Sequence, residues 1–374
     1  MVYRRGCMMD FDDWQVSGIS VYLMAGDPEF NPDVARSKLV KRSSAPNFWA
    51  SVRALSHHLK QHPPTRRSKS LIELKGGGSR NLFLVHDGDG QTLPYLNLSH
   101  RMPADLAVVG VEPVCIPGVP LARASIEEMA AFYVEEIRRN QRNGPYLLGG
   151  LCAGGVIAFE MASQLERSGE SVELVALLDS AAPHAPKRPG RIASQRFGRL
   201  TQALTDAGSA ERSKLGRAWA VLGVIARKLV NTLTWEIMQR GARLWVGARF
   251  VLLRNLLARG RPWPRFLPEL SVREIYESAE ALYVPKPLSQ ASVVLVRARV
   301  EVAGVADDTP YIDIYSDEAL GWRALTAKLD VIDVHGGHSS MLREPFVQSL
   351  ATALGPMASA STSQRVPATE ITRA

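Results

Sequence analysis

Cysteine is scarce in this chain of 374 residues: Cys7, Cys115 and Cys152 are the three present, and none stands in a CxxC pair or beside histidine at metal-ligand spacing. An odd, unpatterned count supports neither a disulfide framework nor a zinc site, so a reducing, cytoplasmic setting without metal or resident cofactor is expected. Also missing is any uncharged apolar run near 18 residues. The opening MVYRRGCMMDFDDW has arginines but no apolar signal-peptide core, so no membrane span is expected. Acidic residues are nearly absent from one stretch. Between Lys187 and Arg265, seventeen Lys or Arg face only Asp206, Glu211 and Glu236, a local excess of +14 against +8 for the whole chain. The positive charge therefore belongs to one segment, and no nucleic-acid partner is expected. Residues 1–70 lack periodicity apart from an amphipathic stretch at Asn47 to Leu59, end in QHPPTRRSKS and carry no carrier-protein attachment motif around a serine. They read as a leader or linker of unassigned role.

The remaining chain is rich in apolar residues, 46% overall, enough for a large core. Its centre of organisation is YLLGGLCAGG, Tyr146 to Gly155. Pro145 introduces an apolar run, paired glycines stop it, and Ala153 to Arg167 then repeats apolar residues at helical spacing. This is a strand, a tight turn and a helix with Cys152 at the apex: G-x-S-x-G with sulfur in place of oxygen. At the helix N-terminus, backbone N–H groups and the positive dipole end favour a thiolate.

Around it, apolar runs alternate with helical patterns. Leu82 to His86, Ala107 to Val111, Val172 to Asp179, Ala291 to Val296 and Leu329 to Val334 read as strands. Gln91 to Met102, Ser125 to Gln141, Ser271 to Leu282 and Asp317 to Ala327 read as helices, two of them opened by the capping boxes Ser125-x-x-Glu128 and Ser271-x-x-Glu274. The fold class is α/β, a mostly parallel sheet flanked by helices. The alternation breaks at about residues 184–268, an Arg-, Leu- and Trp-rich block that reads as an inserted helical lid. Domain bounds are expected at 71–357, followed by a Ser/Thr/Ala-rich tail over 358–374.

A thiol nucleophile needs a base and a group that orients the base, both beyond the C-terminal ends of strands. Asp179 ends the strand after the elbow helix, at the sheet's ligand edge, the plain alternative being that it caps the next turn. Its rivals are Asp307 and Asp308, beyond the following strand. His338 follows the last strand, with His335 three residues earlier. The loop His86-Asp87-Gly88-Asp89-Gly90 ends the strand at Leu82 to His86. The N–H of Gly88 with that of Ala153 would form an oxyanion hole, the plain alternative being an ordinary turn; Asp87 and Asp89 have no assigned role.

From Asn81 to about Leu354 the chain resembles the thioesterase domain of nonribosomal peptide and polyketide synthases, a branch of the α/β-hydrolase fold. FLVHDGDG is similar to its strand followed by H-P-x-G-G, YLLGGLCAGGVIAFEMASQL to its elbow, LVALLDSAAP to the place of its acid, and LGWRALTAKLDVIDVHGGHSSML to its closing segment. The resemblance implies Cys152 as nucleophile where the family usually has Ser, Asp179 as acid and His338 as base. It implies an acyl or peptidyl chain arriving on the phosphopantetheine of a carrier protein and leaving by hydrolysis, cyclisation or transfer to an amine or hydroxyl, in natural-product biosynthesis. Two other readings stand beside it: a small-ester or lactone hydrolase of the same fold, and an inactive carrier-docking protein.

Overall fold

In the computed structural model the described residues are 68, 70–116, 119, 121–188, 234, 238–300, 302 and 308–359, together with two short strands that pair at Tyr3–Arg4 and Cys7–Met8. The rest of the leader, most of the tail, Asp307 and residues 189–233 of the basic block, apart from these, lie outside them.

Seven strands form one sheet: β1 (Leu71–Lys75), β2 (Arg80–Val85), β3 (Leu106–Val111), β4 (Tyr146–Leu151), β5 (Val172–Leu178), β6 (Ser292–Ala298) and β7 (Leu329–Val334). Their order is β1-β3-β2-β4-β5-β6-β7. Every pairing is parallel except that of β1 with β3. The central strands are apolar on consecutive residues because both faces are covered; all six residues of β3 and of β4 are buried. One core cluster gathers Phe83, Leu148, Leu177, Phe159 and Trp322, the other Leu82, Leu84, Leu147, Leu174 and Leu350. Each fully buried aliphatic side chain of this kind contributes ~1.5–3 kcal/mol.

The helices are α1 (Leu96–Arg101), α2 (Ile126–Asn140), α3 (Ala153–Arg167), α4 (238–258), α5 (Val272–Glu280), α6 (Tyr311–Ile314) and α7 (Val347–Ser359). Capping signals set their starts. Ser125 accepts from the Glu128 N–H, while the Glu128 carboxylate reaches the N–H of Ala124; at α5 the reciprocal box of Ser271 and Glu274 is complete.

Three features depart from the sequence reading. The helix expected at Asp317 to Ala327 is only a 3-10 turn, Trp322–Leu325, because Leu320 and Gly321 both take positive φ and turn the Trp322 indole inward to donate to the Ser180 carbonyl. The sequence pattern marks neither strand β1 nor helix α7, and α7 runs to Ser359, past the start of the expected tail. Of the basic block, 238–258 is helical, and Phe250 and Leu253 are buried on it.

Candidate active site

The sharp turn at Cys152 follows from steric demand at its glycines. A Cβ on Gly150 would collide with the backbone of Gly154, and one on Gly154 with the carbonyls of Val85 and His86, so strand and helix cross where no side chain fits. Cys152 itself sits at φ 54°, ψ −116°, a conformation that costs an L-residue ~1–3 kcal/mol. Two hydrogen bonds hold it there: its N–H donates to the Leu178 carbonyl at 3.0 Å, and the Ser180 hydroxyl donates to its carbonyl at 2.7 Å. Its half-buried side chain stands at the N-terminus of α3, whose first N–H groups have no acceptor within the helix.

Asp179 follows β5 directly, fully buried, with φ 37°. Its Oδ1 accepts from the Ala298 N–H at 3.2 Å; its Oδ2 accepts from the Tyr311 N–H at 3.1 Å and lies 2.7 Å from Nδ1 of His338. A carboxylate only accepts, so Nδ1 carries the proton and Nε2 is left for the sulfur side. Burial works against a charge on the His338 ring, but the hydrogen bond to Asp179 and the neighbouring Cys152 outweigh it and raise the pKa to about 10.

Asp308 has a different task. Its carboxylate accepts from the N–H groups of Val302, Ser339 and Ser340 and from both serine hydroxyls, and its carbonyl accepts from the His338 N–H. It therefore shapes the loop that presents His338 without touching the ring. His335 is exposed and directed elsewhere, its N–H toward Ser349 Oγ.

The loop after β2 lies against the elbow: a Cβ on Gly88 would stand 3.8 Å from that of Ala153. Buried His86 braces it, with Nδ1 donating to the Asp87 carbonyl at 2.8 Å and Nε2 accepting from the Tyr133 hydroxyl at 2.9 Å. Burial lowers the His86 pKa to about 4, so the ring is neutral. Asp87 accepts from the N–H groups of Asp89 and Gln91 and closes the turn; burial raises its pKa to about 6. Asp89 forms a bidentate pair with Arg273 of α5, both contacts at 2.8 Å. These contacts supply the roles that the sequence left open for Asp87 and Asp89.

One residue of the site escaped the sequence altogether. The Tyr311 hydroxyl lies 2.8 Å from Cys152 Sγ, and its ring stacks on His338 at 4.3 Å between centroids and 10° between planes. Its only signal was position, three residues beyond the rival acid Asp308. With His338 and Asp179 the set brings together a sulfur, an imidazole and a carboxylate in relay. Among the described residues no group of three or more His, Cys, Asp or Glu could hold a metal ion, and no helix is long and apolar enough to cross a membrane.

The family model described as the thioesterase domain matches residues 80–221. Similar curated proteins include malpibaldin synthetase of Mortierella alpina, 40% identical over 116 residues, 31% of this chain and 2% of that protein. Another is the non-reducing polyketide synthase Preu8 of Preussia isomera, 34% identical over 154 residues, 39% of this chain and 7% of that one. The chain thus spans a small fraction of the length of these relatives. A solved structure of the NocB thioesterase domain, in covalent complex with a fluorophosphonate nocardicin G analogue, is 24% identical with a TM-score of 0.44 over 76% of this chain and 96% of that one.

Proposed function

We propose, for a chain whose residues 80–221 carry a thioesterase domain, that it takes an acyl or peptidyl chain from the phosphopantetheine of a carrier protein onto Cys152 and releases it by hydrolysis, cyclisation or transfer to an amine or hydroxyl. The observation that carries this reading is the elbow sulfur beside a His338 whose Nδ1 is fixed by Asp179 at 2.7 Å. The working unit is residues 71–357, with the basic block as its lid, and Cys115 and Cys152, neither of them in a disulfide, suit a reducing, cytoplasmic setting. No cofactor of its own is required, since the partner brings the pantetheine arm.

In the proposed reaction the Cys152 thiol proton passes to Nε2 of His338, and the thiolate attacks the thioester carbonyl. The new carbon–sulfur bond pushes charge onto the carbonyl oxygen, which accepts from the N–H groups of Gly88 and Ala153. Collapse breaks the bond to the pantetheine sulfur, which takes the proton from His338. The neutral ring then accepts a proton from water, amine or hydroxyl as that group attacks acyl-S-Cys152, and returns it to the Cys152 sulfur. Passing from thioester to thioester is nearly isoenergetic, so the intermediate keeps the activation that an oxygen ester would lose. This favours aminolysis and strained-ring closure.

Intact-mass detection of the acyl-enzyme after incubation with a synthetic acyl-pantetheine thioester tests the reading. Cys152→Ala is expected to abolish the adduct while Cys115→Ala retains it, and Cys152→Ser to shift products toward hydrolysis or to stall as the ester. Acylation at Cys115 would sink the proposal. Free small esters turned over as fast as the carrier-bound thioester would favour the ester-hydrolase reading instead.

A further inference from the structure

We propose that Tyr311 is a fourth catalytic residue, whose phenolic O–H holds the Cys152 sulfur in its thiolate form between acylation cycles. The proposal rests on the reading of Cys152 as nucleophile and adds a residue to it.

Tyr311 touches each member of the set by a separate route. Its hydroxyl is 2.8 Å from Sγ, its ring lies flat on the imidazole of His338, and its N–H donates to the Asp179 oxygen that also faces Nδ1. The residue is held for this: Pro310 precedes it with φ −56°, Asp308 is locked into the His338 loop, and the Tyr315 ring packs against it at 5.3 Å. Either partner could donate in the bond between phenol and sulfur. Burial, and then the neighbouring Cys152, push the Tyr311 pKa well above its ordinary value, so the phenol keeps its proton and is the donor toward a thiolate. A hydrogen bond to an ionised acceptor is about twice as strong as a neutral one.

His338 faces the sulfur with its Nε2 side, and the Tyr311 hydroxyl is a second donor to it. Tyr95, Tyr276 and Tyr315 are held protonated first by burial, with Cys152 contributing to each. Asp87 acts on Tyr95, while Glu280 acts on Tyr276 and Tyr315. Asp179 is bound to His338. With its pKa raised to about 10, His338 carries its charge beside the sulfur at neutral pH, while Asp87, raised to about 6, acts on Tyr95. A thiolate held by a donor is a weaker nucleophile per molecule, but below the midpoint of its titration a thiol gains more in thiolate population than it loses in nucleophilicity, so the donor speeds attack there. Once acyl-S-Cys152 forms, the sulfur is a weak acceptor and the phenol is released to face the incoming nucleophile.

Tyr311→Phe keeps the ring stack and the backbone N–H and removes only the O–H. In a Cys7→Ala, Cys115→Ala background, the rate of alkylation of Cys152 by iodoacetamide is followed by intact mass from pH 5 to 10. Relative to the parent, Tyr311→Phe is expected to move the midpoint of this profile up by about one pH unit and to slow alkylation at pH 7 about threefold, with the variant overtaking the parent at the alkaline limit. A stronger donor, 3,5-difluorotyrosine in place of Tyr311, is expected to move the midpoint down. Superimposable profiles, or a loss of equal size at every pH, overturn the proposal. A parent protein that alkylates normally but is not acylated by the acyl-pantetheine thioester overturns the nucleophile reading, and the two failures are thereby told apart.

Discussion

At the residue scale, two buried aspartates near His338 divide the work. Asp179 meets the ring; Asp308 meets the backbone and serines of the loop that carries it. Asp179→Asn replaces an acceptor-only carboxylate by a group that can also donate to Nδ1, which stabilises the wrong tautomer. Acylation is expected to slow by about 10⁴-fold. Asp308→Asn removes acceptor capacity from five donors, so its first effect is on stability: a lower thermal midpoint, with a smaller rate loss that follows the loosened loop. Rates and melting curves of both variants check this. A mild Asp179→Asn beside a severe, fully folded Asp308→Asn would assign the acid to the other strand.

At the element scale, α5 joins the basic block to the site through adjacent residues. Glu274 pairs with Arg249 of α4 at 3.0 Å, and Arg273 with Asp89 of the loop beside the elbow. Arg249 is 7% exposed and also reaches the carbonyls of Pro268 and Glu269, with its guanidinium over Trp245. The sequence groups Arg249 with its basic neighbours, but burial sets it apart: it holds the block together. Arg249→Ala is expected to cost roughly 2–4 kcal/mol by leaving Oε1 of Glu274 and two carbonyls without the Arg249 donor, measured by denaturant unfolding. Arg240, Arg243 and Arg254 are exposed. If the carrier presents an acidic face to these arginines, neutralising the three is expected to slow acylation from an intact carrier and flatten its salt dependence, with acylation from a small pantetheine thioester unchanged, because complementary charge acts mainly on encounter. Equal losses with both donors would remove these arginines from carrier docking.

For the whole molecule, pH links the two loops that flank the sulfur. His338 has a folded pKa of about 10, above its unfolded value, so its contribution to stability is complete below about pH 6.5 and is lost as pH rises toward 10. His86 is lowered to about 4, so its contribution is complete above about 6.5 and is lost as pH falls through 4. Asp87, raised to about 6, runs opposite to His86: its contribution is present below about 3.9 and is lost as pH rises through 6. Between pH 4 and 6 the two offset each other on one loop. Asp87→Asn keeps the turn's acceptor and removes one side of that balance, so its melting temperature is expected to fall more steeply than the parent's from pH 6 to 4. Asp179→Asn is expected to flatten the alkaline limb. Melting curves from pH 4 to 10 check both.

The sequence by itself determined the parallel sheet, because strands buried on both faces must be apolar at consecutive residues, as Tyr146–Leu151 and Leu106–Val111 are. It also determined the apex position of Cys152, since only glycines at 150 and 154 permit that crossing of strand and helix. Local patterns carried these, as they carried the caps at Ser125 and Ser271. The helix expected at Asp317 to Ala327 failed because helical spacing in a short segment says nothing of the indole hydrogen bond that turns Trp322 inward. Only the tertiary structure decided between Asp179 and Asp308, because both follow strands at one edge of the sheet and differ only in whether His338 or its loop backbone comes within reach. It alone separated the buried Arg249 from the exposed arginines around it. It alone brought Tyr311 against a sulfur 159 residues away, a contact set by how β5, β6 and the His338 loop pack together rather than by any local pattern.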